Sequence, residues 1–410
     1  MAARRVAVTG AGVVSPLGLT LEEFQRSLGA ARSGVRRLPE DIAQGSGVQV
    51  GALVDWDAAA QLGGSEAANL DRASQFAVVA ATQALAQARL PLDAPTRVGV
   101  YWGTGLGGAH TLEAAYQQVY GKREWRVRPL TVVMAMNNAA GAAVALRHGL
   151  RGPFANFATA CSSSAMALGE AARAIAAGRA DAMVAGGSEA LLTPATLLAW
   201  QALRTLAPAD PADAAASCKP FDKRRSGLVL GEGAAAFVLE EETRARQRGA
   251  RIHALLTGYG NSCDAVHMSR PDRDGQVRAM REALEEARLE PEAIGYINAH
   301  GTATAVGDVV EAEAINAVFG DAAARIPVSS SKSMHGHLLG GAGALEFAAA
   351  LLALEQGVLP PTAFLEQPDP ACRLRHVPLR AERVEPPRAV MSNSFAFGGS
   401  NVVLVAERPA

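Results

Sequence analysis

Short apolar runs alternate with longer, Ala-rich stretches along most of the chain. Residues 5–9, 97–102, 182–185, 234–239, 252–257, 294–298, 326–329 and 402–405 form runs of strand length, and a further strand is predicted at 154–157. Residues 72–89, 162–177, 276–287 and 342–356 have helix length. In the third of these, Val277, Met280, Leu284 and Ala287 fall at helical spacing and mark one buried face. Strands alternating with helices predict an α/β fold.

The pattern also repeats. An early stretch, Val8-Thr-Gly-Ala-Gly12, returns as Leu256-Thr-Gly-Tyr-Gly260. A closing stretch, Gly233-Ala-Ala-Ala-Phe-Val-Leu-Glu240, returns as Gly399-Ser-Asn-Val-Val-Leu-Val-Ala-Glu407. The charged segment 241–251 lies between the copies as a connector. Two duplicated halves are expected, at 1–245 and 246–410, with their loops meeting at a shared centre.

Thr9-Gly-Ala-Gly-Val-Val-Ser-Pro-Leu-Gly18 invites a dinucleotide-binding reading. Such a fingerprint needs a third glycine so that helix and strand pack closely. Ser15 and Pro16 stand there instead, so the expectation is a tight glycine turn leaving the first strand.

Composition narrows the function classes. The 410 residues carry a formal net charge of -1, which gives no footprint for nucleic acid or an anionic membrane. No apolar run approaches the roughly 18–20 residues needed to span a bilayer, and the N-terminus lacks a signal-peptide pattern. Cys161, Cys218, Cys263 and Cys372 are widely spaced, without a C-x-x-C pair. A disulfide framework or a zinc site is not expected, and a soluble protein of the reducing cytoplasm is.

The chemistry starts at Ala158-Thr-Ala-Cys161-Ser-Ser-Ser-Ala-Met-Ala-Leu-Gly169. Cys161 is placed at a helix N-terminus, where the dipole lowers a thiol pKa and three serines can bond free N–H groups. A nucleophilic cysteine needs that activation to attack a thioester. Its companions follow strands in the second half. Asn298-Ala-His300-Gly-Thr302-Ala-Thr304 offers one histidine. Ser329-Ser-Ser-Lys332-Ser-Met-His335-Gly-His337 offers two more, and Leu338-Leu-Gly-Gly-Ala-Gly-Ala-Leu-Glu346 runs on into a helix. Asn393-Ser-Phe-Ala-Phe397-Gly-Gly-Ser-Asn401 has the glycine content of a mobile loop beside a site.

Taken in order, these motifs resemble the elongating β-ketoacyl-(acyl-carrier-protein) synthases, of the synthase II type within the thiolase superfamily. Ala185-Gly-Gly-Ser-Glu189, Pro220-Phe-Asp-Lys223 and Gly231-Glu-Gly233 fit the same pattern, and the matches run from about residue 5 to 407. The resemblance implies a thiolase-like fold: two duplicated α/β halves in a five-layered α-β-α-β-α arrangement, usually dimeric. It also implies a two-stage reaction. An acyl group passes from acyl carrier protein to Cys161; malonyl-carrier protein then loses carbon dioxide and its carbanion attacks that thioester. The backbone N–H groups of Cys161 and Phe397 would form an oxyanion hole, and His300 and His337 would hold the malonyl thioester oxygen. Lys332 and Glu346 would form a supporting ion pair. Thr302 and Thr304 would position the pantetheine arm, and Phe395 would lie beside the substrate. By position, Leu106 and Trp200 would line the acyl tunnel. His335 falls at a variable position and is not assigned to catalysis. No metal and no cofactor is implied, since the phosphopantetheine arrives on the carrier.

The sequence departs from the pattern in places. Ala396 stands where glycine is usual, and a Cβ restricts gating by Phe397. Ser65-Glu-Ala-Ala-Asn69 is acidic where housekeeping members are basic, which leaves Arg126, Arg128 and Arg204 to meet an acidic carrier protein. Trp200 stands where phenylalanine is frequent, pointing to a shorter or flatter acyl chain and a polyene or polyketide pathway. Two alternatives stay open: an acyl-CoA thiolase, for which a second catalytic cysteine is missing from the late glycine-rich loop, and a non-catalytic chain-length partner. The active half of a heterodimer with such a partner is a further arrangement. A modular-synthase fragment is disfavoured by the close at Ala410.

Overall fold

The computed structural model describes residues 4–409; residues 1–3 and Ala410, on which the readings of both chain ends partly fall, lie outside the described residues. The first half is β1 (Val6–Val14), α1 (Arg72–Ala88), β2 (Val98–Gly103), α2 (Ala139–His148), β3 (Phe154–Phe157), α3 (Ser163–Ala176), β4 (Ala182–Glu189) and β5 (Gly233–Glu241). The second is β6 (Ala254–Cys263), α4 (Arg273–Ala287), β7 (Ile294–Asn298), α5 (Gly307–Phe319), β8 (Pro327–Ser329), α6 (Ala342–Gln356), β9 (Ala389–Phe395) and β10 (Ser400–Glu407). Both halves run β-α-β-α-β-α-β-β.

All ten strands belong to one 11-stranded sheet, which the short strand Arg375–His376 completes at an edge. The first half is ordered β3-β2-β4-β5-β1 and the second β8-β7-β9-β10-β6, the same permutation twice. They join where β1 pairs antiparallel with β6, Val6 opposite Leu256 and Val8 opposite Ala254. Helices α1 and α2 cover the outer face of the first half, and α4 and α5 that of the second. α3 and α6 pack against each other and against both halves of the sheet, completing five layers.

Local chemistry repeats as well. Asp71 caps α1 and Asp272 caps α4; α1 stops at Arg89 and α4 at Arg288, each in the left-handed conformation. α6 is buried almost all round, and Leu345, Phe347, Leu351, Leu352 and Leu354 each contribute about 1.5–3 kcal/mol by leaving water.

Three readings need correction. Gly10 and Gly12 do not form a turn after the first strand: they lie inside β1, which runs on to Val14, and the chain turns at Ser15–Gly18. A Cβ at Gly10 would lie 2.2 Å from the Ala84 carbonyl oxygen, and one at Gly12 2.0 Å from that of Ala80. The repeat at Gly258 and Gly260 does the same against α4, with Ala283 and Ala279. These glycines let a helix lie directly on its strand. Residues 393–401, read as a loop, are mainly strand: β9 ends at Phe395, Phe397–Gly399 form a tight 3-10 turn, and β10 begins at Ser400. Full ladder pairing from Ala389↔Glu407 to Phe395↔Asn401 explains the order. The strand predicted at 252–257 is likewise displaced, to Ala254–Cys263, because its pairing with β10 extends to Cys263.

Candidate active site

Each half leads from the end of its third strand, through a 3-10 turn, into its central helix. In the first half the turn is Ala160–Ser162, with Ala160 at φ 51°. A left-handed non-glycine residue costs of order 1–2 kcal/mol, and this one throws Cys161 out at the base of α3. The serines do not cap their own helix. Ser163 Oγ accepts from the Thr159 N–H at 2.8 Å, Ser162 Oγ donates to the Thr159 carbonyl, and Ser164 Oγ accepts from the Ala344 N–H at 2.9 Å. Ser164 therefore ties the first turn of α6 to α3.

His337 comes from the second half and places Nε2 3.0 Å from Cys161 Sγ. Its backbone is fixed by an N–H bond to the Val229 carbonyl at 2.7 Å. His300 follows β7, and its ring centroid is 5.4 Å from that of His337, edge to face. Glu311 on α5 accepts the N–H groups of His300 at 2.8 Å and Gly301 at 2.7 Å, and Asn393 donates to it from β9. The sequence reading passed over Glu311. Its signal was a carboxylate in the helix that follows a glycine-bearing loop with free N–H groups.

Lys332 and Glu346 form a fully buried ion pair behind the histidines. Lys332 Nζ also donates to the His300 carbonyl at 2.5 Å and lies 3.3 Å from His300 Nδ1. An ammonium only donates, so Nδ1 accepts and the ring proton sits on Nε2. His335, left out of catalysis by the sequence reading, has both nitrogens engaged, with the Gly336 carbonyl and Ser331 Oγ.

Burial, followed by the Lys332 charge, holds both His300 and His337 well below the usual imidazole range. Both rings are neutral at physiological pH. Burial also pushes the Cys161 thiol up to about 12, against the Lys332 charge and the N–H groups of Phe397 and Cys161, which favour the thiolate. The expected lowering is thus overturned for the resting protein: desolvation outweighs the helix terminus. The resting thiol therefore keeps its proton. Glu346 is pushed up to about 7 by burial, with Lys332 opposing.

Cys161, His300, His337, Thr302, Thr304, Phe395, Phe397 and Trp200 line one cavity of about 340 Å³. Thr302 and Thr304 share a hydroxyl hydrogen bond of 3.1 Å on one wall. Trp200 stacks on Phe397 with centroids 6.0 Å apart and planes at 22°. Leu106 is not with them: it is 54% exposed, because the glycine-rich turn after β2 carries it to the surface. Arg204 stands at the cavity wall. Arg128 is spent on the Ala68 carbonyl, Glu66 is paired with Arg147, and Arg126 is exposed. One donor atom from each of Cys161, His300 and His337 lies within 4.8 Å of the others, a set that could hold a soft cation. The Lys332 ammonium directly behind His300 opposes one there.

Two family descriptions match the chain: beta-ketoacyl synthase N-terminal domain over residues 3–245, and its C-terminal domain over 253–366. A 3-oxoacyl-[acyl-carrier-protein] synthase 2 of Coxiella burnetii is 42% identical, spanning 100% of this chain and 99% of the relative. The solved ishigamide ketosynthase/chain length factor superposes with a TM-score of 0.93 at 34% identity, covering 100% of both chains. A type II PKS acyl-carrier protein in complex with its ketosynthase, bound to the hexaketide, gives 0.91 at 31% identity, again over 100% of both. The fold is that of the thiolase-like ketosynthases. This chain belongs to the β-ketoacyl synthase family, acyltransferases of the condensing type.

Proposed function

We propose that the chain joins an acyl group to the two-carbon unit of malonyl-acyl carrier protein, with Cys161 as the acyl acceptor. The observation that carries this reading is the 3.0 Å contact between His337 Nε2 and Cys161 Sγ, beneath converging N–H groups of Phe397 and Cys161. As Sγ attacks the carrier thioester, its proton passes to His337, and the two N–H groups hold the negative oxygen. The carrier thiol leaves with a proton, and the acyl group stays on Cys161.

Malonyl-carrier protein then enters, its pantetheine arm along Thr302 and Thr304. His300 presents its Nε2 proton to the thioester oxygen while the carboxylate leaves as carbon dioxide, and His337, its Nε2 free again, lines the same pocket. The enolate carbon attacks the Cys161 thioester, the Cys161–acyl bond breaks, the departing thiolate takes up a proton from water, and the product is a 3-oxoacyl-carrier protein. Lys332 fixes the His300 tautomer. This chemistry transfers no electrons, so it calls for no redox cofactor, and no step of it needs a metal.

The partner is an acyl carrier protein in acyl- and malonyl-loaded forms, and a dimer is the working assembly. Leu112, Tyr116, Tyr120, Trp125, Val132 and Val133 are exposed together in one stretch, and Phe154 is exposed on the edge strand β3. A covering second chain suits that face, either another copy or a chain-length partner. Among the described residues no helix is long and apolar enough to cross a membrane, and a cytoplasmic setting accords with four free cysteines. The flat Trp200–Phe397 stack favours a short or planar acyl group, in polyene or polyketide synthesis, over a long saturated chain.

The test is a chain-length series of saturated and unsaturated acyl-carrier proteins, offered with malonyl-carrier protein and weighed as intact products. Short or unsaturated chains should give 3-oxoacyl products fastest. Best turnover with saturated chains of about twelve carbons or more would refute the planar-chain reading, given that each buried CH₂ adds about 0.8 kcal/mol in a fitting tunnel.

A further inference from the structure

The second half has its own copy of the turn that presents Cys161. β8 is followed by a segment leading to the 3-10 turn Leu339–Gly341 and then α6, as β3 is followed by Ala160–Ser162 and α3. Leu339 has φ 43°, matching Ala160 at 51°, so Gly340 stands in the place of Cys161. There is no room for a side chain there: a Cβ at Gly340 would lie 2.2 Å from the Gly105 nitrogen and 2.3 Å from the Thr104 carbonyl carbon.

The amide of this second turn is occupied from within. Glu189, at the end of β4 and fully buried, accepts the Gly340 N–H at 3.0 Å and the Gly105 N–H at 2.5 Å on Oε2. On Oε1 it accepts the Leu106 N–H at 3.3 Å and the Thr104 hydroxyl at 3.1 Å. Three backbone N–H groups converging on one carboxylate form an anion nest, in which the Gly340 N–H is the counterpart of the Cys161 N–H. Gly340 is three residues beyond His337, and its neighbour Leu339 packs in the same apolar cluster as Cys161.

We infer that Glu189 is a positioning residue: its carboxylate binds the amide of the second half's copy of the Cys161 turn and, through Gly340, holds His337 against Cys161. The inference deepens the proposed function and rests on it only for the role of His337. Glu189 touches no reacting atom, and it is not among the residues lining the Cys161 cavity. Replacing it by glutamine puts an amide NH₂ where one carboxylate oxygen accepted, so at least one of the four donors loses its partner.

The experiment is a double-mutant cycle on Cys161 alkylation by iodoacetamide, followed by intact mass at fixed pH. It needs neither carrier protein nor condensation, so its failure is distinct from failure of the proposed function. Glu189→Gln should slow alkylation roughly tenfold, within the range for coupled contacting residues, and should add nothing in the His337→Ala background. Thr104→Val, which removes one donor and leaves the carboxylate in place, should show the same dependence with a smaller effect. It serves if Glu189→Gln does not fold. Equal slowing in the presence and absence of His337, or no slowing by either variant, would overturn the inference.

Discussion

The two halves of this molecule repeat one strand order, one pair of Asp-capped outer helices and one left-handed turn before a central helix, yet they carry different chemistry. In the first half the turn holds out Cys161. In the second, Gly340 packs on the Thr104–Gly105 peptide and a carboxylate fills the nest beside it. The second half instead supplies two neutral histidines and the buried Lys332–Glu346 pair. Duplication supplied two equivalent turns, and packing leaves room for a nucleophile at one of them. The catalytic groups of the other half then lie on loops that reach across to it.

The largest expected effect comes from breaking the charge pair that only the second half contains. Lys332→Met leaves Glu346 buried without its cation, and should cost about 3–5 kcal/mol in a denaturant titration. The Glu346 carboxyl is already raised to about 7, so without Lys332 it takes up a proton readily. The loss should therefore shrink as pH falls through 7. An equal loss at pH 5.5 and pH 8 would contradict the assignment.

Removing one histidine separates the stages. His300→Ala should lower malonyl-carrier decarboxylation by about 10²–10³-fold, the usual cost of one oxyanion donor, and leave Cys161 acylation nearly intact. Liberated carbon dioxide and the acyl adduct, measured side by side, check this. A parallel fall in both would place His300 in acylation instead.

The turns themselves can be exchanged. Gly340→Ala should destabilise the protein by about 1–3 kcal/mol through overpacking, read from the unfolding midpoint. Cys161→Ala should change that midpoint far less. Similar costs at the two positions would mean that the turns are packed alike.

The smallest effect is a shape. Because burial raises the thiol to about 12, the iodoacetamide rate at Cys161 should keep climbing as pH rises through 9. A plateau with an apparent pKa below 8 would show a resting thiolate held by the helix terminus.

Much of this was legible in the sequence. The apolar runs located nearly all the strands, and the repeated glycine motifs marked the duplication, although their role is close helix packing and not turning. Cys161, His300 and His337 were legible because each sits in a loop between a strand and a helix, with glycines or small residues around it. Glu189 closes a recognisable motif and Glu311 follows a glycine-bearing loop, but neither role was legible, because what they do depends on N–H groups brought to them from other elements. The direction of the Cys161 shift was misread for a similar reason. Local sequence shows a helix end, but desolvation is set by the whole fold. Residues 393–395 looked like loop because their pairing partners lie across the hairpin at 401–403.

The central claim is that one cysteine of the first half does chemistry completed by the second. The direct measurement is peptide-mapped mass of wild-type and Cys161→Ala protein after exposure to acyl-carrier proteins, with malonyl-carrier protein then added. The account predicts an acyl adduct on Cys161 alone, absent from the variant and converted to a 3-oxoacyl-carrier protein by malonyl-carrier protein. No adduct on the wild type across short, long and unsaturated chains would contradict it, leaving the chain a non-catalytic partner.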